Sequence, residues 1–263
     1  MHEPSDVVFF AGGGTGGHLY PALALADALG SLRPGLRAVF VGAERGIEAR
    51  ILPERRMEHV LLPVRGLRRG GTPGENAAVV AALLRSMAAL AERFHRLRPE
   101  LVVVTGGYAG APAGLMAALT GVPLALQEQN AVPGVTTRLL SRFADQIHVA
   151  FPEAALGLGD RARQRVEFAG NPIRPPEERD PDADRRTFGL EPRRPVVLVV
   201  GGSQGSRALN EAFVALARAR AADPPAWQLL WSTGSDHLAD VRVALAEVGS
   251  PGWIRALGYI DDM

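Results

Sequence analysis

The sequence contains neither cysteine nor lysine, and each absence excludes a kind of chemistry. Without cysteine there is no disulfide, no thiol nucleophile and no cysteine-bound metal. Without lysine there is no Schiff base and no P-loop of the usual nucleotide-binding type, because both require a lysine amine. The histidines also lack the spacing of a zinc site. We therefore expect no metal centre.

Long apolar stretches and a strong net charge are also absent. The longest apolar runs, 77–84 and 111–119, fall short of the roughly 20 residues that span a bilayer. The N-terminus shows no signal-peptide pattern. A formal net charge of +1 gives no field that would attract nucleic acid. With 47% hydrophobic and 22% charged residues, the composition predicts a soluble, cytoplasmic protein.

The distribution of apolar residues predicts an α/β protein. Short apolar runs alternate with helical patterns, which is typical of parallel sheets covered by helices. Proline and charged residues are concentrated in the stretch 174–195, as in a linker. We expect a first domain over 1–173, this linker, and the start of a second domain over 196–263. The second domain has few βα units before the sequence ends, so we expect it to be truncated.

A glycine-rich turn, A-G-G-G-T-G-G-H, follows the first predicted strand and opens the first predicted helix. Backbone N–H groups at such a helix start are unpaired and, with the helix dipole, favour a phosphate. Thr15 and His18 lie inside the turn, and an imidazole that titrates near pH ~6.5 is a candidate general base. Alternatively, His18 only bonds the backbone, or the turn binds no ligand at all.

The same turn satisfies G-x-G-x-x-G at Gly12, Gly14 and Gly17, a pattern typical of dinucleotide binding. Glu44, beyond the second predicted strand, would then be the ribose ligand, or simply an exposed loop charge. A second glycine turn opens the other half of the chain at 201–205. Two such turns, one in each domain, favour a nucleotide sugar and an acceptor over one extended dinucleotide.

Polar side chains also follow the later predicted strands, at the edge where open α/β sheets bind ligands. These are Tyr108 in T-G-G-Y, and Glu128 and Asn130 in Q-E-Q-N. The alternative for the last two is that they cap the next helix. Arg174, at the domain junction, could reach a phosphate or could be a surface residue of the linker.

A long helix is predicted over 75–97, and its apolar positions fall on one face. Packing against the core is the default interpretation of this face. The alternative is a surface helix that dips into a membrane, helped by nearby arginines. The apolar positions are Val79, Val80, Leu83, Leu84, Met87 and Leu90.

Several motifs stand in a fixed order along the chain: G-G-T-G-G-H with Y-P-A-L-A, T-G-G-Y, E-Q-N with P-G, G-N-P-I-R, G-G-S-Q-G-S-R-x-L-N and Y-I-D-D-M. In this order they resemble the MurG family, the UDP-N-acetylglucosamine–lipid I N-acetylglucosaminyltransferases of bacterial peptidoglycan synthesis. The resemblance extends from the first glycine turn to the end of the chain.

This resemblance implies a GT-B fold, with two Rossmann-like domains facing across a cleft. It implies an inverting, cofactor-free transfer of N-acetylglucosamine from its UDP derivative to the 4-hydroxyl of the muramyl unit of undecaprenyl-linked lipid I, which gives lipid II. It also implies peripheral association with the cytoplasmic face of the bacterial cell membrane. The implied catalytic residues are His18, Tyr108 and Glu128. The implied substrate-binding residues are Thr15, Gly16, Gly17, Asn130, Arg174, Ser203, Gln204 and Ile260.

The sequence departs from the family pattern in places. Gln127 stands where the family has a histidine, and W-S-T-G replaces H-Q-x-G. The chain ends at Met263, before the family's ribose-binding helix start and glutamine pair. We therefore expect weak binding of the donor or none. An inactive truncated fragment and a dinucleotide-dependent oxidoreductase are the alternative functions.

Overall fold

The computed structural model describes residues 6–64, 66, 73–175, 178–202 and 204–260. The chain divides into two compact units, Met1–Arg174 and Pro175–Met263.

The first unit contains a parallel sheet of seven strands in the order β3-β2-β1-β4-β5-β6-β7. The chain order reverses between β1 and β4, which is the position where doubly wound sheets bind ligands. The strands are β1 (Val7–Gly12), β2 (Arg37–Ala43), β3 (His59–Leu62), β4 (Leu101–Gly106), β5 (Leu124–Glu128), β6 (Gln146–Val149) and β7 (Val166–Phe168).

Helices connect these strands. They are α1 (Gly16–Leu32), α2 (Glu48–Glu54), α3 (Pro73–Leu97), α4 (Gly107–Thr120), α5 (Val135–Leu140) and α6 (Asp160–Arg163), with a 3-10 turn at Pro152–Gly157. The central strand β1 is buried on both faces. Phe9 packs into the core on one side of the sheet and Phe10 into the core on the other, so helices cover both faces.

The second unit contains a parallel sheet of three strands in the order β10-β9-β8. Its core is built around the fully buried Trp231, whose indole N–H donates to Asn210 Oδ1 at 3.2 Å. The strands are β8 (Val196–Val200), β9 (Gln228–Ser232) and β10 (Ile254–Leu257), and the helices are α7 (Pro181–Thr187), α8 (Arg207–Ala219) and α9 (Leu238–Ala246). In the described part of the chain, β8 pairs on one side only.

The structure corrects three expectations about helices. The sequence predicts that the first helix begins at Tyr20, but α1 begins at Gly16, because Gly16 and Gly17 are already helical, so Pro21 lies inside the helix. Helix α4 was not predicted, since Gly107, Gly110 and Gly114 reduce the helical signal. The predicted linker 174–195 contains α7, which Asp180 caps by accepting from the N–H of Asp182.

The apolar face of α3 is divided between core and surface. Leu90 is fully buried and Met87 packs against the core, as the default interpretation expects. Val80 and Leu84 are 54% and 61% exposed, so the core interpretation is wrong for these two positions. Among the described residues, no helix combines the length and the apolar character needed to cross a bilayer.

Candidate active site

The predicted polar residues of the first unit gather at the carboxyl ends of β1, β4 and β5. The turns after β1 and β4 approach each other closely, and glycine makes this possible. Gly106 and Gly107 have φ values of +101° and +71°, and a Cβ on Gly107 would collide with the carbonyl oxygen of Gly13. The two turns therefore pack against each other, and they carry His18 at the start of α1 and Tyr108 at the start of α4.

His18 is the third residue of α1 and its ring packs against Gly106. Its Nδ1 lies 3.1 Å from the hydroxyl of Thr15. The imidazole also hydrogen-bonds the carbonyl of Gly13. Because a carbonyl oxygen only accepts, the nitrogen that faces Gly13 carries the hydrogen. The other nitrogen is then the one that can take a proton.

The pKa of His18 is lowered from 6.5. The main cause is burial, which disfavours the charged imidazolium, and the carboxylates of Glu128 and Glu48 oppose this effect. The side chain is therefore neutral at pH 7, as a general base must be before it reacts.

Tyr108 lies in the first turn of α4. A Cβ on Gly14 would lie 2.8 Å from Cε1 of its ring, so the tyrosine covers the glycine turn. Burial, and then the charge of Glu48, raise the pKa of its hydroxyl above 10. Tyr108 is thus a neutral phenol at physiological pH, able to donate and accept hydrogen bonds.

The predicted phosphate turn is partly occupied by the protein's own side chain. The N–H of Gly14 donates to both carboxylate oxygens of Glu48, at 2.9 and 3.0 Å. That amide is not free for a phosphate, and a carboxylate beside it repels an anion. The phosphate site expected at this turn stays a prediction, and the amide of Gly14 does not contribute to it in this structure. Thr15 and Gly17 are exposed beyond it, whereas Gly16 is buried.

Glu128 organises the loop that follows β5. Its carboxylate is buried and accepts four hydrogen bonds, from the N–H and the side-chain amide of Asn130, the N–H of Gly134 and the hydroxyl of Thr137. Asn130 is exposed, and because its nitrogen donates to Glu128, its oxygen is the atom that could accept from a ligand. Glu128 therefore orients Asn130 and contributes negative charge near His18.

Arg174, a predicted site residue, and Gln127, which departs from the family pattern, both have partners within the first unit. Both Nε and one terminal nitrogen of Arg174 lie 2.9 Å from a carboxylate oxygen of Asp27 on α1. Gln127, which replaces the family's histidine, is buried and donates to the carbonyl of Gly170 at 3.0 Å. Its amide fixes the end of β5 to the segment after β7.

The predicted residues of the second unit fall in different surroundings. Ser203 lies outside the described residues, and Gln204 is exposed in the turn after β8. Ile260 is buried against Leu190 and Leu230, so its side chain belongs to the core. A ligand could reach Ile260 only through its main chain. The turn itself is compact, because a Cβ on Gly205 would collide with the carbonyl of Thr233.

Sequence reasoning missed two residues of the site. Glu48 carries no motif, and its only signal is the set of nearby glycines at positions 13, 42 and 46. Gln129 is the middle residue of the E-Q-N motif, and no role was predicted for it from the sequence. Its Nε2 donates to the carbonyl of Gln127, and its Oε1 is buried without a hydrogen-bond partner among the described residues. That oxygen lies on the side of Gly106 that His18 also faces.

Comparison with known proteins defines the class. The family model for the glycosyltransferase family 28 N-terminal domain matches residues 8–149. The model for the C-terminal domain of the same family matches residues 196–263. Together with the parallel α/β units, these matches show a glycosyltransferase with the GT-B fold, as predicted.

The names of similar proteins identify a narrower family than the domain models do. The UDP-N-acetylglucosamine–N-acetylmuramyl-(pentapeptide) pyrophosphoryl-undecaprenol N-acetylglucosamine transferase of Chlorobium luteolum is 42% identical, with 97% of this chain and 69% of that protein covered. The protein of the same name from Chlorobaculum parvum is 43% identical, with the same coverage. The chain belongs to this family of N-acetylglucosamine transferases.

Solved structures agree. The crystal structure of MurG from Acinetobacter baumannii matches with a TM-score of 0.62 and 27% identity, covering 97% of this chain and 67% of that one. A Staphylococcus aureus MnaA structure with UDP matches with a TM-score of 0.63 at 16% identity, covering 97% and 68%. The second likeness concerns the fold alone.

Proposed function

We propose that this protein transfers N-acetylglucosamine from UDP-N-acetylglucosamine to the 4-hydroxyl of the muramyl unit of undecaprenyl-linked lipid I, giving lipid II. The names of the relatives supply the substrates. The observation that carries the proposal is the position of His18, a neutral imidazole at the switch point of the first sheet. It is held by Thr15 and the Gly13 carbonyl.

The proposed step is a single inverting displacement. The acceptor hydroxyl oxygen forms a bond to the anomeric carbon, and the bond from that carbon to the UDP oxygen breaks. The hydroxyl proton passes to the free nitrogen of His18, and the electron pair of the broken bond leaves with UDP. No cofactor takes part. A general base of this kind contributes about 100-fold or more to the rate.

Other residues bind the substrates in this proposal. Tyr108 and Asn130 present a hydroxyl and an amide oxygen to sugar groups near His18, with Asn130 oriented by Glu128. The exposed N-terminal end of α1 at Thr15 and Gly17, the turn at Gln204 and the main chain at Ile260 contact the donor. Arg174 neutralises charge on the leaving diphosphate, for which it must exchange its pairing with Asp27.

The structure gives a reason to prefer sugar transfer to dinucleotide-dependent oxidation. A dinucleotide needs the amides of the first glycine turn for its pyrophosphate. Here the carboxylate of Glu48 occupies the amide of Gly14. Glu44, the candidate ribose ligand, is exposed.

We also propose peripheral association with the cytoplasmic face of the membrane through α3. Val80 and Leu84 are one helical turn apart and exposed, and Arg85 is exposed beside them. Such a surface buries apolar side chains at the lipid boundary and leaves arginine near anionic headgroups.

Transfer of radiolabelled N-acetylglucosamine to a lipid I analogue, compared between the native protein and His18→Ala, tests the proposed function. We expect turnover to fall about 100-fold in His18→Ala, because the hydroxyl loses its base. His95→Ala, which alters an exposed histidine of α3, is the matched control and should transfer at the native rate. Equal turnover in the folded His18 variant would remove that residue from the role, and absence of transfer by the native chain would refute the proposal.

A further inference from the structure

Glu48 is a fully buried carboxylate that the proposed reaction does not use. It is 0% exposed, although it is the first residue of α2. Its partners in the described part of the chain are main-chain N–H groups: that of Gly14 at 2.9 and 3.0 Å, and that of Ala43 at 2.7 Å. The carboxylate thus ties the turn after β1 to the end of β2.

The space around this carboxylate is made by glycines from separate segments. A Cβ on Gly13, Gly42 or Gly46 would collide with the side chain of Glu48. These residues belong to the turn after β1, to β2 and to the loop before α2. An ordinary exposed cap needs no such space, because its carboxylate is solvated. The backbone is therefore shaped to enclose a glutamate at this position.

The enclosed charge acts on the catalytic side chains. Glu48 raises the pKa of His18 and that of Tyr108. The groups that face His18 are Thr15 on its own turn, Glu48 from α2 and Glu128 from β5. Tyr108 from α4 lies across the same turn. A neutral imidazole that must become positive in the reaction therefore has two buried carboxylates nearby.

We propose that Glu48 is a positioning residue for His18. It fixes the turn that presents Thr15 and His18, and its negative charge stabilises the imidazolium that forms as His18 accepts the acceptor proton. This inference rests on the proposed role of His18. It also explains why the first glycine turn is closed at Gly14, since that amide serves the protein's own carboxylate.

Glu48→Gln separates charge from shape. The amide has nearly the same volume and keeps one acceptor oxygen for Gly14 or Ala43, but it has no charge. We expect kcat to fall at least about 10-fold with KM for the donor unchanged, as for loss of a group that orients and stabilises a catalytic histidine. Glu54→Gln, which removes an exposed carboxylate from the same helix, is the matched control and should keep the native kcat.

The titration of His18, followed by NMR of the imidazole and assigned with His18→Gln, is independent of turnover. We expect its pKa to fall further in Glu48→Gln and to stay at the native value in Glu54→Gln. An unchanged His18 titration or an unchanged kcat in folded Glu48→Gln would overturn the inference. If the native chain shows no transfer, the proposed function fails, while the titration still decides whether Glu48 acts on His18.

A variant that keeps the charge covers the case in which Glu48→Gln does not fold. Glu48→Asp shortens the side chain and so weakens its hold on Gly14. Lower kcat at unchanged donor KM, with the pKa of His18 close to its native value, supports the positioning role. Full activity in Glu48→Asp together with an unfolded Glu48→Gln would assign the carboxylate to folding alone and overturn the inference.

Discussion

At the scale of single residues, two opposing effects set the pKa of His18. Burial disfavours the imidazolium, and two carboxylates favour it, with burial the larger effect. As the proposed base, His18 is therefore unprotonated in the resting protein and has negative charge nearby when it takes a proton. Burial alone would not stabilise the protonated form of His18, and the carboxylates alone would not favour the neutral form.

The lowered pKa of His18 predicts the acidic limb of the pH–rate profile. The reacting form is neutral, so kcat/KM should stay high as pH falls below 6.5 and decline only near the lower folded-state pKa. Steady-state transfer from pH 5 to 8 measures this limb. A midpoint above 6.5 would contradict the prediction.

Stability should follow the same group. Unfolded His18 takes its proton near 6.5 and folded His18 does so only at lower pH, so the unfolded state binds more protons between these values. The contribution of His18 to stability is complete above 6.5 and is lost as pH falls towards the folded-state pKa. Urea unfolding of the native protein and of His18→Gln at several pH values measures this effect. Equal dependence of the free energy of unfolding on pH in the two proteins would argue against it.

At the scale of elements, close packing of α4 against its neighbours sets where glycine is required. A Cβ on Gly114 would collide with the side chain of Leu140 of α5, which is fully buried. Gly30, near the end of α1, has nothing within 4 Å of such a Cβ. The two helical glycines therefore differ in function although both weaken helical propensity.

This difference gives a paired prediction. Gly114→Ala should destabilise the protein by about 1–3 kcal/mol through overpacking. Gly30→Ala should stabilise it by roughly 0.5–1 kcal/mol, since alanine is the better helix former. The free energy of unfolding in urea measures both. Equal effects of the same sign would contradict the packing argument.

The divided face of α3 predicts the effect of a charge on membrane binding. Leu84→Glu should reduce flotation with liposomes of acidic phospholipid, because it places a carboxylate at an exposed apolar position of the proposed membrane contact. Leu119→Glu is the matched control, because it alters an exposed leucine of α4. Equal flotation of Leu84→Glu and the native protein would show that α3 is not the contact.

The strands were predictable and several helices were not, for physical reasons. Buried parallel strands are largely continuous apolar runs, so β1, β4 and β5 left a visible signal in the sequence. Helix α4 was not predicted because its glycines lower the helical propensity, and the close contacts that require them cannot be read from the sequence. The same holds within the site: His18 carried a motif, whereas Glu48 is defined by glycines distant in the chain. The exposure of Val80 and Leu84 depends on which face of α3 meets the sheet, and periodicity alone does not say how wide that face is.

At the scale of the whole molecule, each of the two units has its own core. The first unit presents a complete seven-stranded sheet, with its switch point at β1 and β4. In the described part of the second unit the sheet has three strands, and β8 lies at its edge with Leu198 50% exposed. The chain covers 69% of the length of its relative from Chlorobium luteolum.

Among the residues that the structure describes, β8 pairs only with β9, so its other side carries main-chain groups without a strand partner and association could depend on protein concentration. Main-chain donors and acceptors in an apolar edge strand are a template for a second copy. In concentrated solution we expect chains to associate strand to strand, and dilution to release them. Sedimentation velocity over a dilution series would detect this, and Leu198→Lys should keep the chain monomeric. A single species at every concentration of the native chain would contradict it. Assays of sugar transfer and of oligomerisation should therefore be performed at matched dilution, because the edge strand β8 lies in the same polypeptide as His18, the proposed base.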